Sequence, residues 1–209
     1  SNKSGNKITM QKHKYVIFVT LFFIFFLIGC ENNEPTPEEK AQVRAIGDQA
    51  SDVLLRKLKS RLISAVQKSG PAGAINECKL DAIKLTHEAT NNSKVPVAVK
   101  RVTNKYRNPI NAPDEWDKKA LTFFENKEGV RDYFPEFYVQ KIQQDEAIHF
   151  RYYKPLKMYQ MCLKCHGNKI KEDVRVRLNE LYPNDLATGY AKGDFRGAIR
   201  VDIAKEYLQ

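Results

Sequence analysis

Apolar residues recur at every third or fourth position between Val43 and Val66, the spacing that places them on one face of a helix. Thr36, Pro37 and Glu39 precede this run and form a helix start. The threonine can cap, proline suits the first helical position, and the glutamate can close a capping box. Because Gly70-Pro71 is a stop signal, the pattern predicts a long amphipathic helix that ends there.

A second helix is predicted from Ala72 to about Ala89, before the chain is broken by Asn91-Asn92-Ser93. Its apolar residues again follow helical spacing, so they share one side of the predicted helix. This apolar side contains Ile75, Cys78, Ala82 and Leu85.

The rest of the chain changes to shorter segments, several of which alternate between apolar and polar positions as strands do. The segments around Gln143–Glu146 are close enough to form a hairpin. Helices followed by hairpin-connected strands predict an α+β fold on an antiparallel sheet. Strands are predicted at Val95–Val102, Phe137–Ile142, Ala147–Tyr153 and Asp194–Ile203, and short helices from Pro113 through Phe124 and at Lys171–Leu181.

The net charge of the chain bears on whether it could bind nucleic acid. The 209 residues contain 35 Lys and Arg against 25 Asp and Glu, a net charge of +10. Four lysines and no acid lie in the first 29 residues, so the balance of the remaining chain falls to +6. No long run of Lys and Arg is present, and we therefore expect no nucleic-acid partner.

The N-terminal lysines precede an uncharged run over residues 15–29, which ends in Leu27-Ile28-Gly29-Cys30. A membrane-spanning helix needs about 20 residues, whereas a basic segment followed by a shorter apolar run is typical of a signal peptide. The final four residues resemble a bacterial lipobox, in which the cysteine is acylated. We therefore expect a lipoprotein signal peptide at 1–29, lipidated Cys30, a tether at 30–36 and a domain at 37–209.

An uncleaved membrane anchor with an ordinary cysteine is the alternative, and Met10 is a candidate natural start. In both cases the domain is expected outside the cytoplasm, in the periplasm or at the cell surface, tethered to a bacterial membrane. The membrane is thus the first expected partner.

The segment Cys162-Leu163-Lys164-Cys165-His166 has the C-x-x-C-H pattern that attaches c-type haem. Two thiols three positions apart can reach the two vinyl groups on one edge of the porphyrin, and the next residue supplies an imidazole to the iron. Cys162, Cys165 and His166 are therefore the candidate cofactor-binding residues, and the cofactor is one covalent haem c.

Three other uses of these cysteines are weaker. A zinc site needs four ligands, and the sequence has no second C-x-x-C. A thioredoxin-type redox pair expects a βαβ pattern, which is absent. A structural disulfide between the two cysteines is compatible with an oxidising compartment.

Cys78 is then the remaining thiol, and two interpretations of it stay open. A cysteine on an apolar helix face is usually a buried, inert side chain. Its thiolate could instead be the sixth ligand of the haem iron. Other side chains considered for that position are Met158, Met161, His87 and His149.

Four segments carry a resemblance to known proteins: residues 74–82 around Cys78, 100–116, 152–167, and 182–201. The patterns R-N-P-x-N-A-P-D-x-W and G-Y-x-x-G-D-x-R-G within them are specific. They resemble a family of c-type haem proteins, of which a cyanobacterial member is the best known. The resemblance covers nearly all of residues 38–209.

The resemblance implies a PAS-like fold with long N-terminal helices and one haem c. It also implies two axial ligands of the iron, which map onto His166 and Cys78. Relatives occur as sensor parts of signalling proteins, so the implied role is a redox or diatomic-gas sensor. Since no kinase, cyclase or methyl-accepting region is seen, we expect a signal to pass to a separate protein partner.

An electron-transfer cytochrome that serves a membrane oxidoreductase is the alternative function. An enzyme of the peroxidase type is not expected, because a six-coordinate iron leaves no open position for peroxide. Arg101, Lys105 and Arg107 are candidates for neutralising the haem propionates, although solvated loop charges are an equal interpretation.

Overall fold

The computed structural model describes residues 34–91, 93–126, 135–144 and 147–209, with all their side chains except those of Cys78 and Leu80. The predicted signal peptide, Cys30 and most of the predicted tether lie outside the described residues. Among the residues described, no helix combines the length and the apolar character that crossing a membrane requires.

Helix α1 spans Pro37–Asn91 and is interrupted at Gly70, where φ is 67° and ψ is 177°. A positive φ of this kind favours glycine, which has no Cβ. The predicted capping box is present, because the Thr36 N–H donates to Glu39 Oε2 at 2.9 Å and the Glu39 N–H donates to Thr36 Oγ1 at 3.2 Å. The helix start and the break at Gly70 are thereby confirmed.

The two parts of α1 form a helical hairpin, with residues 37–69 as the first arm and residues 71–91 as the second arm. Lys57 Nζ in the first arm lies 3.0 Å from Glu88 Oε2 in the second. A continuous helix would hold these two positions about 45 Å apart, at 1.5 Å per residue. The arms therefore run antiparallel, and an ion pair between Arg61 and Asp81 also joins them.

The sheet has four strands in the order β1-β4-β3-β2, and every neighbouring pair is antiparallel. The predicted α+β fold and the predicted β2–β3 hairpin are confirmed. β1 starts one residue after Pro96, as expected because proline has no N–H to donate. The strands are β1 (Val97–Val102), β2 (Tyr138–Gln144), β3 (Ala147–Lys157) and β4 (Phe195–Ala204).

One face of the sheet packs against α1 and forms the larger core, in which Leu54, Phe150, Tyr152 and Val201 are fully buried. Gly47 lies beneath the Tyr152 ring, and a Cβ at position 47 would stand 2.1 Å from the ring carbon Cγ. Only glycine allows the helix this close to the strand.

Helix α2 (Glu115–Glu125) packs against the sheet through a second core, in which Leu121 and Phe124 contact Tyr153. The helix begins at Glu115, two residues later than the predicted start at Pro113. Asp114 is its N-cap, and it forms a capping box with Asp117. Two aspartates satisfy the first backbone N–H groups here, so the capping carboxylates decide where the helix starts.

The same two aspartates belong to a buried group of charges between α2 and the sheet, which we call the Asp–Arg network. Its cations are on β3 and β4, and its anions are at the N-cap of α2, in the first turn of α2 and on β4. The network consists of Asp114, Asp117, Arg151, Arg200 and Asp202.

Two further helices follow β3, and the prediction of a helix ending at Leu181 is confirmed. They are α3 (Leu163–His166) and α4 (Glu172–Leu181). α4 packs on the second arm of α1 through Val174 and Leu178, which contact Ile75, and Cys165 lies against the same cluster. This contact fixes α3 next to the helical hairpin.

Candidate functional site

A cavity of about 320 Å³ lies where the two arms of α1 meet the loops and α3. The arms supply apolar walls, including Leu58, Leu62 and Ile75, and the loops and β-strands supply arginines. All three residues of the predicted attachment motif, Cys162, Cys165 and His166, line this cavity. The structure thus brings the motif together with a partly open, mostly apolar cavity.

The motif adopts a local helical structure. A 3₁₀ turn at Gln160–Cys162 leads directly into α3. Residues three apart in a helix lie on the same side, so Cys162 and Cys165 face the cavity together. Both are free thiols in this structure.

Burial raises the pKa of the Cys165 thiol, with a smaller opposing effect from Arg107. A redox-active C-x-x-C pair needs a lowered thiol pKa that favours the reactive thiolate. The attacking thiolate of such a pair is normally its first cysteine, so the raised pKa of the second cysteine, Cys165, does not bear on the thioredoxin-type interpretation.

Gly167 follows the motif because the backbone packs too closely for a side chain. A Cβ at this position would stand 2.7 Å from the carbonyl oxygen of Leu163. The chain before β4 runs beside the motif, and the Tyr190 N–H donates to the His166 carbonyl at 3.0 Å. The motif is therefore held by backbone contacts with the segment that precedes β4.

His166 Nδ1 lies 2.6 Å from the carbonyl oxygen of Ala187. A carbonyl only accepts, so Nδ1 carries the proton and Nε2 has a free lone pair. Burial, together with the nearby charges of Arg107 and Arg196, lowers the pKa of His166 to about 3. The ring is therefore neutral at pH 7, in the tautomer that metal-ligating histidines use when Nδ1–H donates to a carbonyl.

Arg101, Arg107 and Arg196 line the cavity. Arg107 has protein partners, since its Nε donates to Asp185 Oδ2 at 2.9 Å and its Nη2 donates to the Cys165 carbonyl at 2.7 Å. Lys105 is also occupied, because its Nζ donates to the Thr188 carbonyl at 2.7 Å. Of the three basic residues selected from the sequence, two thus make contacts within the loops.

Sequence reasoning missed Arg196, although it lies in the G-Y-x-x-G-D-x-R-G segment. Its Nη1 donates to Thr103 Oγ1 at 2.9 Å and to the Lys105 carbonyl at 3.0 Å. Burial lowers its pKa. In the described part of the chain, no carboxylate lies within ion-pair distance of this guanidinium, which leaves a buried positive charge at the cavity wall.

Cys78 stands on the second arm of α1, three residues after Ile75 and four before Ala82, which both line the cavity. Its side chain is outside the described part of the structure, so its role as a ligand stays a prediction. Of the alternative sixth ligands, Met161 lines the cavity. Met158 is buried, His87 is exposed and His149 lies in β3, all away from the cavity lining.

Comparison with known proteins gives the family. The Tll0287-like family model matches residues 32–204, and the chain therefore belongs to that family. The structure is similar to the crystal structure of the cyanobacterial heme-protein Tll0287, with a TM-score of 0.53 and 25% sequence identity. The match covers 83% of this chain and 99% of the cyanobacterial chain. No curated protein matches the chain.

Proposed function

We propose that this chain binds one haem c covalently through Cys162 and Cys165, with His166 Nε2 as an axial ligand. The observation that carries the proposal is the His166–Ala187 hydrogen bond beside the two thiols, because it leaves a neutral imidazole with its free nitrogen at a cavity lined by both cysteines. Haem binding by the cyanobacterial relative supports the same assignment.

The lining residues fit this cofactor in chemistry as well as in position. Apolar side chains of both arms suit the porphyrin face, and haem carries two carboxylates that need cationic partners. Arg196 is suited to that task, because it is buried and among the described residues has no carboxylate of its own. When bound, haem iron supplies a one-electron redox couple and a position for a further axial ligand.

Cys78 is proposed as that further ligand. The helical register of the second arm places position 78 between Ile75 and Ala82, which both line the cavity. An anionic thiolate favours ferric iron, so Cys78→Ala should raise the midpoint potential and remove thiolate character from the oxidised spectrum. An unchanged spectrum and potential would assign Cys78 to the core and make Met161 the next residue to test.

The proposed role is a sensor of redox state or of a diatomic gas. Position 78 lies on an arm that ion pairs connect to the first arm, and the first arm begins shortly after the proposed lipidation site at Cys30. A change of ligation at Cys78 could therefore move a helix that leads towards the membrane. A separate protein is the proposed recipient of the signal.

Electron transfer is the second candidate, and one observation favours it. Met161 at the cavity is 38% exposed, and Lys164 beside it is also exposed. A surface of this kind near the cofactor would allow a redox partner to approach. Carbon monoxide separates the two functions: formation of an adduct by the reduced protein supports the gas sensor, whereas rapid electron exchange without an adduct supports the carrier.

The attachment itself is tested with a Cys162→Ala/Cys165→Ala double variant. The parent should retain haem through acid–acetone extraction and denaturing electrophoresis, and the double variant should lose it completely. Cys78→Ala is the matched control, because it removes one thiol and leaves the attachment motif intact. Extractable haem in the parent, or haem retained by the double variant, would contradict the proposal.

Membrane tethering and an extracytoplasmic location are proposed from the sequence alone. Cys30→Ser should abolish acylation and leave the protein unprocessed or released from the membrane fraction. A membrane-bound Cys30→Ser protein of mature size would show that the lipobox assignment is wrong.

A further inference from the structure

We infer that Arg107 and Asp185 are positioning residues that hold the proximal side of the site, and this rests on the proposed function. Asp185 accepts on both carboxylate oxygens: Oδ1 accepts from the Ala187 N–H at 2.8 Å, and Oδ2 accepts from Arg107 Nε at 2.9 Å. Ala187 in turn accepts the His166 Nδ1 proton at 2.6 Å. A continuous series of hydrogen bonds therefore leads from Arg107 to the imidazole.

Arg107 also contacts the motif directly, because its Nη2 donates to the Cys165 carbonyl at 2.7 Å. One guanidinium thus ties the helical turn that carries the cysteines to the loop that holds the histidine. We call the group formed by Arg107, Asp185 and Ala187 the proximal clamp.

The proximal clamp is built from distant parts of the chain and is largely shielded from water. Its two charged members are 78 residues apart in sequence. The side chains of Arg107 and Asp185 are 15% and 8% exposed, and Ala187 is fully buried. Charge-assisted hydrogen bonds are strong in such surroundings, and a partner left alone is costly.

The consequence concerns the electronic character of His166. A histidine that donates its Nδ1 proton to a well-placed carbonyl is a more basic ligand through Nε2, which favours the oxidised metal. Because Asp185 fixes the Ala187 N–H, it holds the adjoining carbonyl in place for that hydrogen bond. Loosening the clamp should weaken the hydrogen bond and raise the midpoint potential.

The test compares Asp185→Asn and Asp185→Ala in the haem-loaded protein. The asparagine retains an acceptor for the Ala187 N–H but loses the charge that holds Arg107, whereas alanine loses both contacts. The midpoint potential should rise in the order parent, Asp185→Asn, Asp185→Ala. Solvent exchange of the His166 Nδ1 proton, followed by NMR, should accelerate roughly tenfold in Asp185→Ala.

Asp194→Asn is the matched control. Asp194 lies in the same connection and accepts from the Ala191 N–H at 2.7 Å, so the variant removes one negative charge and weakens one local turn without touching the clamp. Arg107→Lys adds a conservative variant that keeps the charge but not the planar fork. It should give an intermediate potential, and it carries the test together with Asp185→Asn if Asp185→Ala fails to fold.

The two levels of inference fail in different ways. A parent protein without covalent haem overturns the proposed function, and the assignment of the clamp with it. Covalent haem with equal potentials in the Asp185 and Asp194 variants, and unchanged exchange of the His166 proton, overturns the clamp alone.

Discussion

Two places in this domain bury arginines, the Asp–Arg network and the Arg196 position at the cavity, and they differ in how the charge is balanced. Arg151 and Arg200 lie in the Asp–Arg network, where Arg151 Nη1 is 2.8 Å from Asp114 Oδ2 and Arg200 Nη1 is 3.1 Å from Asp117 Oδ2. Arg196 lies at the cavity, where its described hydrogen bonds go to a hydroxyl and a carbonyl.

The pKa values of Arg151 and Arg196 shift in opposite directions. Burial alone would lower the pKa of Arg151, but the charge of Asp202 and the hydrogen bond to Asp114 outweigh it, and the pKa is raised. For Arg196, burial is the largest effect and the pKa is lowered. The arginines of the network thus face carboxylates of the protein itself, whereas among the described residues no carboxylate lies within ion-pair distance of the Arg196 guanidinium.

The largest effect on stability is expected from a substitution within the Asp–Arg network. Asp117 is fully buried and faces Arg200, Arg151 and the Tyr153 hydroxyl. Asp117→Asn leaves buried cations short of an anion, so the free energy of unfolding should fall by about 3 to 5 kcal/mol. Chemical denaturation measures this fall, and haem attachment should be unaffected.

Glu115→Gln is the control for that measurement. Glu115 lies in the same helix turn and pairs with Lys118, but its side chain is 82% exposed. Its removal should change stability by no more than about 0.5 kcal/mol. Similar losses in both variants would mean that the network contributes no more than surface charges do.

The second prediction concerns Arg196 at the cavity, where a substitution should change stability in opposite directions with and without bound haem. Arg196→Gln removes a buried cation, so it should leave the haem-free Cys162→Ala/Cys165→Ala background equally stable or more stable. In the haem-loaded protein the same change removes a partner of a carboxylate and should cost about 1.5 to 3 kcal/mol. Thermal or chemical unfolding of both pairs checks the reversal.

Arg175→Gln provides the reference, because Arg175 is 60% exposed and pairs with Glu172 on the surface of α4. It should have the same small effect with and without haem. A loss of stability in Arg196→Gln that is equal in the two backgrounds would assign Arg196 to the fold rather than to the cofactor.

The features of this molecule differ in how far the sequence predicts them. The helices, the hairpin and the sheet follow from apolar periodicity, because each element buries one face and the repeat reports that face directly. The attachment motif was equally accessible, since the chemistry of Cys162, Cys165 and His166 depends on five consecutive residues.

The roles of the arginines were not accessible in this way. Arg107 was grouped with possible propionate partners, but its carboxylate partner is Asp185, 78 residues away. No local pattern reports which distant carboxylate an arginine meets, because that depends on how the loops pack. The sequence places the start of α2 too early for a simpler reason: the N-cap is Asp114, and an aspartate pair forms the capping box in place of the usual Ser/Thr and Glu.

The smallest expected effect is a difference in how stability depends on pH between two aspartates of the Asp–Arg network, Asp114 and Asp202. Burial alone would raise the pKa of Asp114, but hydrogen bonds from the Asp117 N–H and Arg151 lower it overall. The pKa of Asp202 is raised, mainly by burial, with Arg200 and Arg151 opposing. Asp114 therefore contributes stability above its unfolded pKa, near 3.8, and this contribution is lost as the pH falls through its folded value.

Asp202 has the opposite sign, because the folded state takes up its proton first and gains stability as the pH falls through the raised pKa. Asp114→Asn should thus cost about 1 kcal/mol or less at pH 7, since its side chain is partly exposed. This cost should disappear as the pH falls through the lowered pKa of Asp114. At pH 7, Asp202→Asn should be as stable as the parent. In acid the parent should gain stability that the variant does not gain, so the variant should then be the less stable of the two. Urea denaturation from pH 7 down to pH 3 measures both slopes. Parallel pH profiles for the two variants would show that the network titrates as one unit, with no division between its exposed and buried aspartates.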